Sequence, residues 1–197
     1  MASSTDNPAP VFVITGQSGA GKGTLIREVL ARVPELETTV SATSRARRPG
    51  EADGREYWFL SDAEFARRIE NGEFLESVSY VGHRYGTLLA ELERIRANGR
   101  APLLELETQG ALTVADRVPG AVTIFVTAPI PELERRLQRR ATESSGEIDE
   151  RIRVAREQLE AAERFDHVIH NDDLQRAVDE LTGIVERELG RAATMAP

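Results

Sequence analysis

The chain has 197 residues, of which 40% are hydrophobic and 29% charged, a composition typical of one globular domain with an ordinary core. The absence of cysteine excludes disulfides and thiolate chemistry, and a formal net charge of −8 argues against broad binding to the phosphates of nucleic acid. There is no apolar run of about 18 residues that would predict a membrane span, and the N terminus lacks a signal-peptide pattern, so we expect a cytoplasmic protein without a membrane partner.

The first half of the chain alternates short apolar runs with segments of helical periodicity. Continuous apolar runs predict strands buried on both faces, and apolar residues three or four positions apart predict helices. The predicted elements are, in chain order, a strand at 11–15, a helix at 24–33, strands at 38–43 and 56–60, a helix capped by Ser61, a strand at 74–81 and a helix at 87–98.

The second half continues this alternation. Its predicted elements are strands at 102–106 and 121–127, each followed by a helical stretch, then a helix at 148–164, a strand at 167–170 and a last helix to about residue 188. Strand–helix–strand order at both ends indicates an α/β fold, with a parallel core sheet in a three-layer α/β/α arrangement. The expected organisation is a tail at 1–10, a domain at 11–190 and a tail at 191–197. Within the domain we expect a core (11–40, 98–138 and 148–190), an insert at 41–97 and a short lid at 139–147.

A glycine-rich segment follows the first predicted strand directly and precedes the first helix. It consists of Gly16, Gln17, Ser18, Gly19, Ala20, Gly21, Lys22, Gly23 and Thr24. Glycines let backbone N–H groups turn towards phosphate oxygens, and the following helix points its N-terminal dipole at the same anion. The segment therefore predicts a phosphate loop in which Lys22 bridges the β- and γ-phosphates of a nucleoside triphosphate; an inert glycine-rich turn is the alternative. Because Gly23 stands where the common pattern has Ser or Thr, Thr24 is the candidate hydroxyl ligand of Mg²⁺.

Four further motifs follow the phosphate loop. They are residues 41–57 (SATSRARRPGEADGREY), 73–76 (EFLE) together with 82–87 (GHRYGT), 109–111 (QGA) and 171–173 (NDD). With the loop, over about residues 11–188, they resemble the guanylate kinase family. The resemblance implies a P-loop kinase fold with a small GMP-binding insert and a short lid. It also implies transfer of the γ-phosphate of ATP to GMP in purine nucleotide metabolism, with dGMP as a further acceptor left open.

The resemblance also assigns residues to the acceptor. It implies that the phosphate of GMP is held by Arg45, Arg48, Tyr57 and Tyr85, that guanine is read by Ser41, Glu76 and Thr87, and that Glu51, Gly86 and Glu107 complete the acceptor site. Guanidinium groups match phosphate oxygens two at a time, and a phenol adds a neutral donor. A carboxylate suits guanine, whose N1–H and amino group are adjacent donors, and it repels adenine, which presents an acceptor at N1. Taken singly, these residues are equally compatible with a solvated loop, an exposed acid and two packing tyrosines.

For the donor side the resemblance implies four cations at the transfer step, an adenine contact and a metal. The cations are Lys22, Arg136, Arg140 and Arg151, and the adenine contact is Asn171. The implied phosphate donor is ATP, with Mg²⁺ as the metal. Phosphoryl transfer needs positioning and positive charge on the equatorial oxygens, so no general base is assigned. The chain departs from the common family residues at Gln17 and Arg47 (usually Pro), at Glu105 and Glu107 (often Asp), and at Arg139 and Ala141 (often Gly).

Two other functions fit parts of the same pattern. One is a kinase for another phosphorylated acceptor, such as a ribose bisphosphate, and the combination of Ser41, Glu76 and Thr87 argues against it. The other is a non-catalytic binding module that resembles guanylate kinase, and the complete phosphate loop with Lys22 argues against that.

Overall fold

The structure is a computed structural model that describes residues 9–80, 82–139 and 145–195, with the backbone alone for 136–139, 145–149 and 191–195. Its strands are β1 (Phe12–Gly16), β2 (Leu36–Thr38), β3 (Ala42–Thr43), β4 (Trp58–Phe59), β5 (Phe74–Tyr80), β6 (His83–Leu88), β7 (Ala101–Glu105), β8 (Val122–Thr127) and β9 (His167–His170). Its helices are α1 (Lys22–Arg32), α2 (Asp62–Glu70), α3 (Leu89–Ala97), α4 (Thr108–Arg117), α5 (Ile130–Arg139), α6 (Ser145–Glu160) and α7 (Leu174–Met195), with a 3-10 turn at Ala162–Arg164.

Five parallel strands form the core sheet, in the order β2-β7-β1-β8-β9. Alternate residues of a strand point to opposite faces, so Phe12 and Ile14 pack with α1 and α7, whereas Val11 and Val13 pack with α3 and α4. Helices therefore cover both faces, which confirms the predicted three-layer arrangement. No helix in the described part of the chain combines the length and apolarity needed to cross a bilayer.

The second sheet has the order β4-β3-β6-β5, and all of its strands come from residues 42–88. Its small core includes Phe65 of α2, which stacks on Phe74 of β5 with ring centroids 4.4 Å apart. Ser61 caps α2 as predicted, because its hydroxyl accepts a hydrogen bond from the backbone N–H of Glu64 at 3.2 Å. The division of the chain into core, insert and lid stays a prediction.

Two predicted elements have the wrong extent. The strand at 38–43 is in fact two strands, because the chain leaves the core sheet after Thr38 and enters the second sheet at Ala42. The helix at 87–98 begins too early, since Thr87 lies in β6 opposite Glu76 of β5 and α3 starts only at Leu89. In both regions the strands are set by pairing with distant parts of the chain, which the local apolar pattern does not record.

A buried acid stabilises the crossover between the two sheets. Glu91 of α3 is 3% exposed and accepts hydrogen bonds from the backbone N–H of Val40 at 3.0 Å and from Trp58 Nε1 at 3.1 Å. It also pairs with Arg94 at 3.0 Å. Burial acts to raise the pKa of Glu91, but these hydrogen bonds outweigh it and the pKa lies below the ordinary value.

Candidate functional site

The phosphate loop connects β1 to α1 at the carboxyl edge of the core sheet. Gly21 precedes the first helical residue, Lys22, with a φ of 89°. A Cβ at Gly16, where φ is +141°, would lie 2.0 Å from the carbonyl oxygen of Val126 in the neighbouring strand β8, so only glycine fits there. The loop therefore has the strand and helix context that its sequence predicts.

Lys22 extends its ammonium group back over this loop. Its Nζ donates to the carbonyl oxygens of Gly16 at 2.7 Å and Gln17 at 3.1 Å. Burial lowers the pKa of Lys22, and the negative charges of Glu107 and Glu105 oppose that shift. The ammonium of Lys22 therefore already lies at the loop, where a bound phosphate would take the place of the two carbonyl oxygens as its hydrogen-bond acceptor.

Two acidic residues, separated by Leu106, lie at the end of β7. Glu105 is the last residue of that strand, Glu107 precedes α4, and both line the same cleft as Lys22. Burial raises the pKa of Glu105; the charge of Lys22 opposes this and that of Glu107 adds to it. An added cation at this point would relieve the repulsion between the two carboxylates. Among the described residues, no group of three or more His, Cys, Asp or Glu side chains could hold a metal unaided.

A cleft of about 610 Å³ lies between the phosphate loop and the second sheet. It brings together these predicted site residues: Lys22, Ser41, Tyr57, Glu76, Tyr85, Gly86 and Glu107. The sequence reasoning assigned no role to several other lining residues: Thr38, Thr39, Glu56, Val78, Tyr80, Leu106 and Gly110. Thr38, Thr39 and Leu106 could have been predicted, because they end or directly follow core strands. Ligands bind at the carboxyl ends of parallel strands.

Glu76 is buried in the wall of this cleft, with 3% exposure. The register of β5 against β6 shifts between Phe74 and Glu76, and this bulge directs the carboxylate to Thr87, whose hydroxyl donates to Oε1 at 2.9 Å. Burial raises the pKa of Glu76, and hydrogen bonds from the side chain and backbone of Thr87 oppose the shift. A carboxylate has about four acceptor sites, and Thr87 is the only donor to Glu76 among the described residues, so donors on a ligand have sites left.

Gly110, in the first turn of α4, makes room for that carboxylate. A Cβ on Gly110 would lie 3.0 Å from Oε2 of Glu76, a distance at which one of the two must move. The partial positive charge at the N-terminus of α4 also favours an anion at this point. The motif 109–111 therefore supports Glu76 across the cleft.

Arg45 lies in a cluster with an acid and two tyrosines. Its guanidinium forms a bidentate pair with Glu51, with Nη2–Oε1 at 2.8 Å and Nη1–Oε2 at 3.1 Å, and lies 5.5 Å from the ring centroid of Tyr57. The rings of Tyr57 and Tyr85 meet edge to face at 6.0 Å. The hydrogen bond from Arg45 lowers the pKa of Glu51, which also accepts from the backbone N–H of Arg48 at 2.7 Å. Glu51 therefore holds the arginine loop in place, while Arg45 and the tyrosines remain candidates for an anion.

Of the other predicted donor-site residues, Asn171 contacts the phosphate loop, whereas the arginines lie on α5 and α6 or outside the described part. Asn171 is buried, and its Nδ2 donates to the carbonyl oxygen of Ala20 at 2.7 Å, so it braces the loop; contact with adenine stays a prediction. Arg151 is half-buried on α6. Arg140 lies outside the described residues, as does most of the predicted lid, and for Arg136 only the backbone is described.

Comparison with known proteins points to one family. The family model for guanylate kinase matches residues 9–188. A guanylate kinase of Rubrobacter xylanophilus is 47% identical over 178 residues, which cover 90% of this chain and 93% of the relative, and one of Symbiobacterium thermophilum is 43% identical over 182 residues, covering 92% and 86%. The crystal structure of guanylate kinase from Anaplasma phagocytophilum matches with a TM-score of 0.71 at 28% identity, over 92% of this chain and 87% of that one.

Proposed function

The chain belongs to the guanylate kinase family and transfers the γ-phosphate of ATP to GMP, and we propose that the transfer takes place in the cleft between the phosphate loop and the second sheet. The observation that supports this location is the buried carboxylate of Glu76, which shares the cleft with the ammonium of Lys22. The acid suits a base with adjacent donors, and the cation suits a triphosphate. Family membership favours this activity over a ribose bisphosphate kinase or a non-catalytic module.

On the acceptor side, Glu76 accepts hydrogen bonds from N1–H and the amino group of guanine. Thr87 orients that carboxylate, and the hydroxyl of Ser41 lines the same cleft. Tyr57 and Tyr85 present phenols next to the Arg45 guanidinium, a combination that binds the phosphate of GMP with charge and with neutral donors.

On the donor side, the loop amides and Lys22 hold the β- and γ-phosphates of ATP. Arg151, with Arg136 and Arg140, supplies positive charge to the phosphoryl group in flight. When Mg²⁺ is bound with ATP it neutralises charge on the phosphates, and the residues that would hold it are Thr24 and Glu105. Enclosure of both substrates excludes water, which would otherwise accept the phosphoryl group. A cytoplasmic location stays a prediction from the sequence.

A series of acceptors tests this assignment, because IMP keeps N1–H but lacks the amino group, and AMP lacks both donors. We expect kcat/KM to fall by about 10-fold or more from GMP to IMP, since a hydrogen bond to a charged group contributes roughly 1.5–3 kcal/mol. From GMP to AMP we expect a fall of about 10⁴-fold. Equal kcat/KM for GMP and IMP would show that Glu76 does not read the amino group, and equal values for all three would remove guanine recognition from the cleft.

A further inference from the structure

Gln17, the second residue of the phosphate loop, has a fully buried side chain with 0% exposure. A buried amide costs free energy unless its polar atoms are paired. Here Oε1 accepts from the hydroxyl of Thr127 at 2.5 Å and from the backbone N–H of Ala128 at 3.0 Å, while Nε2 donates to the carbonyl oxygen of Ala155 at 3.0 Å. The amide of Gln17 therefore joins the end of β8 to helix α6.

The chemistry of these partners fixes the orientation of the amide. The backbone N–H of Ala128 can only donate and the carbonyl of Ala155 can only accept, so the oxygen must face β8 and the nitrogen must face α6. The backbone of Gln17 is fixed as well, because its N–H donates to the carbonyl oxygen of Val126 at 3.0 Å. Main chain and side chain together leave this residue one conformation.

A second contact joins the same helix to the next residue of the loop. The backbone N–H of Ser18 donates to Oε1 of Gln158 at 3.0 Å, and Gln158 lies about one turn after Ala155 on α6. Two consecutive loop residues thus contact one face of α6. Arg151 lies four residues before Ala155, so it projects from that same face.

We infer that Gln17 is a positioning residue for phosphoryl transfer: it holds α6 at the separation from the phosphate loop at which Arg151 reaches the transferring group. The inference rests on the role proposed above for Arg151. The loop holds the phosphates of ATP and α6 carries the cation, so the Gln17 amide spans the two halves of the donor site. Positioning errors are costly in such sites, since a displacement of about 1 Å can lower a rate by roughly 10²-fold.

The test compares Gln17→Leu, Arg151→Ala and the double variant, with Thr127→Val as the matched control. Gln17→Leu removes the contact to α6, and we expect kcat at saturating ATP and GMP to fall by about 10-fold or more while KM for GMP changes by less than about 2-fold. Thr127→Val removes one donor on the β8 side and keeps the contact to α6, so kcat should stay within about 3-fold of wild type. In the Arg151→Ala background, Gln17→Leu should lower kcat by less than about 2-fold.

Thermal unfolding of each variant separates positioning from folding. If Gln17→Leu does not fold, Gln17→Glu replaces it, because the isosteric carboxylate keeps an acceptor for Thr127 and Ala128 and faces the Ala155 carbonyl without a donor. If the losses in Gln17→Leu and Arg151→Ala multiply, or if KM for GMP moves and kcat does not, the inference is overturned and the role of Arg151 stands. If Arg151→Ala keeps full kcat, the role of Arg151 fails and the inference fails with it.

Discussion

Replacing Glu76 by Gln should raise the stability of the ligand-free protein and lower kcat/KM for GMP. The pKa of Glu76 is raised by burial, so as the pH rises the unfolded chain loses this proton before the folded chain does. Above the raised pKa the ionised carboxylate therefore costs the folded state free energy, and below the ordinary carboxyl pKa that cost is absent. Gln has no charge to bury, so Glu76→Gln should raise the free energy of unfolding at pH 7 and leave it unchanged at pH 4.

The same change should weaken recognition of guanine. The carboxylate is 3% exposed, and among the described residues it accepts hydrogen bonds from Thr87 alone, whose hydroxyl lies at 2.9 Å. It therefore has acceptor sites left for two donors of the base, and Gln turns one of these pairings into donor against donor. Loss of one hydrogen bond to a charged group costs about 1.5–3 kcal/mol, which corresponds to roughly 10- to 100-fold in kcat/KM for GMP. On the side of stability, each 1 kcal/mol gained corresponds to about 2–4 °C in Tm for a chain of this size.

Glu91→Gln is the matched control, because Glu91 is also 3% exposed but its pKa is shifted the other way. Its ionised form is stabilised in the folded state by Val40, Trp58 and Arg94. That stabilisation is present above the ordinary carboxyl pKa and is lost as the pH falls through the lowered one. Glu91→Gln should therefore lower Tm at pH 7, with the difference from wild type shrinking towards pH 4.

Thermal unfolding without nucleotide between pH 4 and pH 8, and a coupled assay with GMP, measure both halves of the prediction. A lower Tm for Glu76→Gln at pH 7, in parallel with Glu91→Gln, would refute the burial reasoning. An unchanged kcat/KM for GMP would refute the assignment of Glu76 to guanine, whatever the Tm.

Three further outcomes follow from the site. Lys22→Ala should lower kcat by at least about 10²-fold, the scale for one electrostatic group. Tm should change little, because the hydrogen bonds of the Lys22 ammonium go to two carbonyls of the loop and not to the core; near-normal turnover would contradict the phosphate-loop assignment. Gly110→Ala should raise KM for GMP, because its Cβ would lie 3.0 Å from Oε2 of Glu76. Gly190→Ala in α7, whose added Cβ would enter open space, should leave KM unchanged; equal KM values for the two variants would show that Glu76 tolerates the methyl group. KM for GMP should rise as the pH falls through the raised pKa of Glu76, because the protonated acid loses an acceptor, and in Glu76→Gln this rise should disappear.

What the sequence could predict depends on how far apart the interacting residues lie. The phosphate loop is one continuous segment, so its glycines, Lys22 and the flanking strand and helix could all be recognised locally. Glu76 and Thr87 were both assigned to guanine by resemblance, yet the predicted helix at 87–98 put Thr87 in the wrong element, because strand β6 exists only through its pairing with β3 and β5.

The roles of Gln17 and Gly110 could not be predicted from the sequence either, because both depend on contacts with distant residues. The sequence marks Gln17 only as a departure with more backbone freedom than Pro, whereas its amide is fixed by partners 110 and 138 residues away in the chain. Gly110 belongs to a recognised motif, but its use is a close approach to a side chain of another sheet. Neither contact has a local signal, since both depend on which elements the fold brings together.

The chain enters and leaves the second sheet at neighbouring positions, because Ala42 of the first strand, β3, pairs with Gly86 of the last strand, β6. A continuous segment whose ends are adjacent can be exchanged or lengthened without parting the strands around it. Most of the residues proposed to select the acceptor, among them Tyr57, Glu76 and Thr87, therefore lie on one length of polypeptide, and the phosphate loop lies on another. An engineer seeking a kinase for another acceptor base can graft residues 41–88 as a unit, provided that positions 107 and 110, which the host scaffold contributes, are matched to the graft.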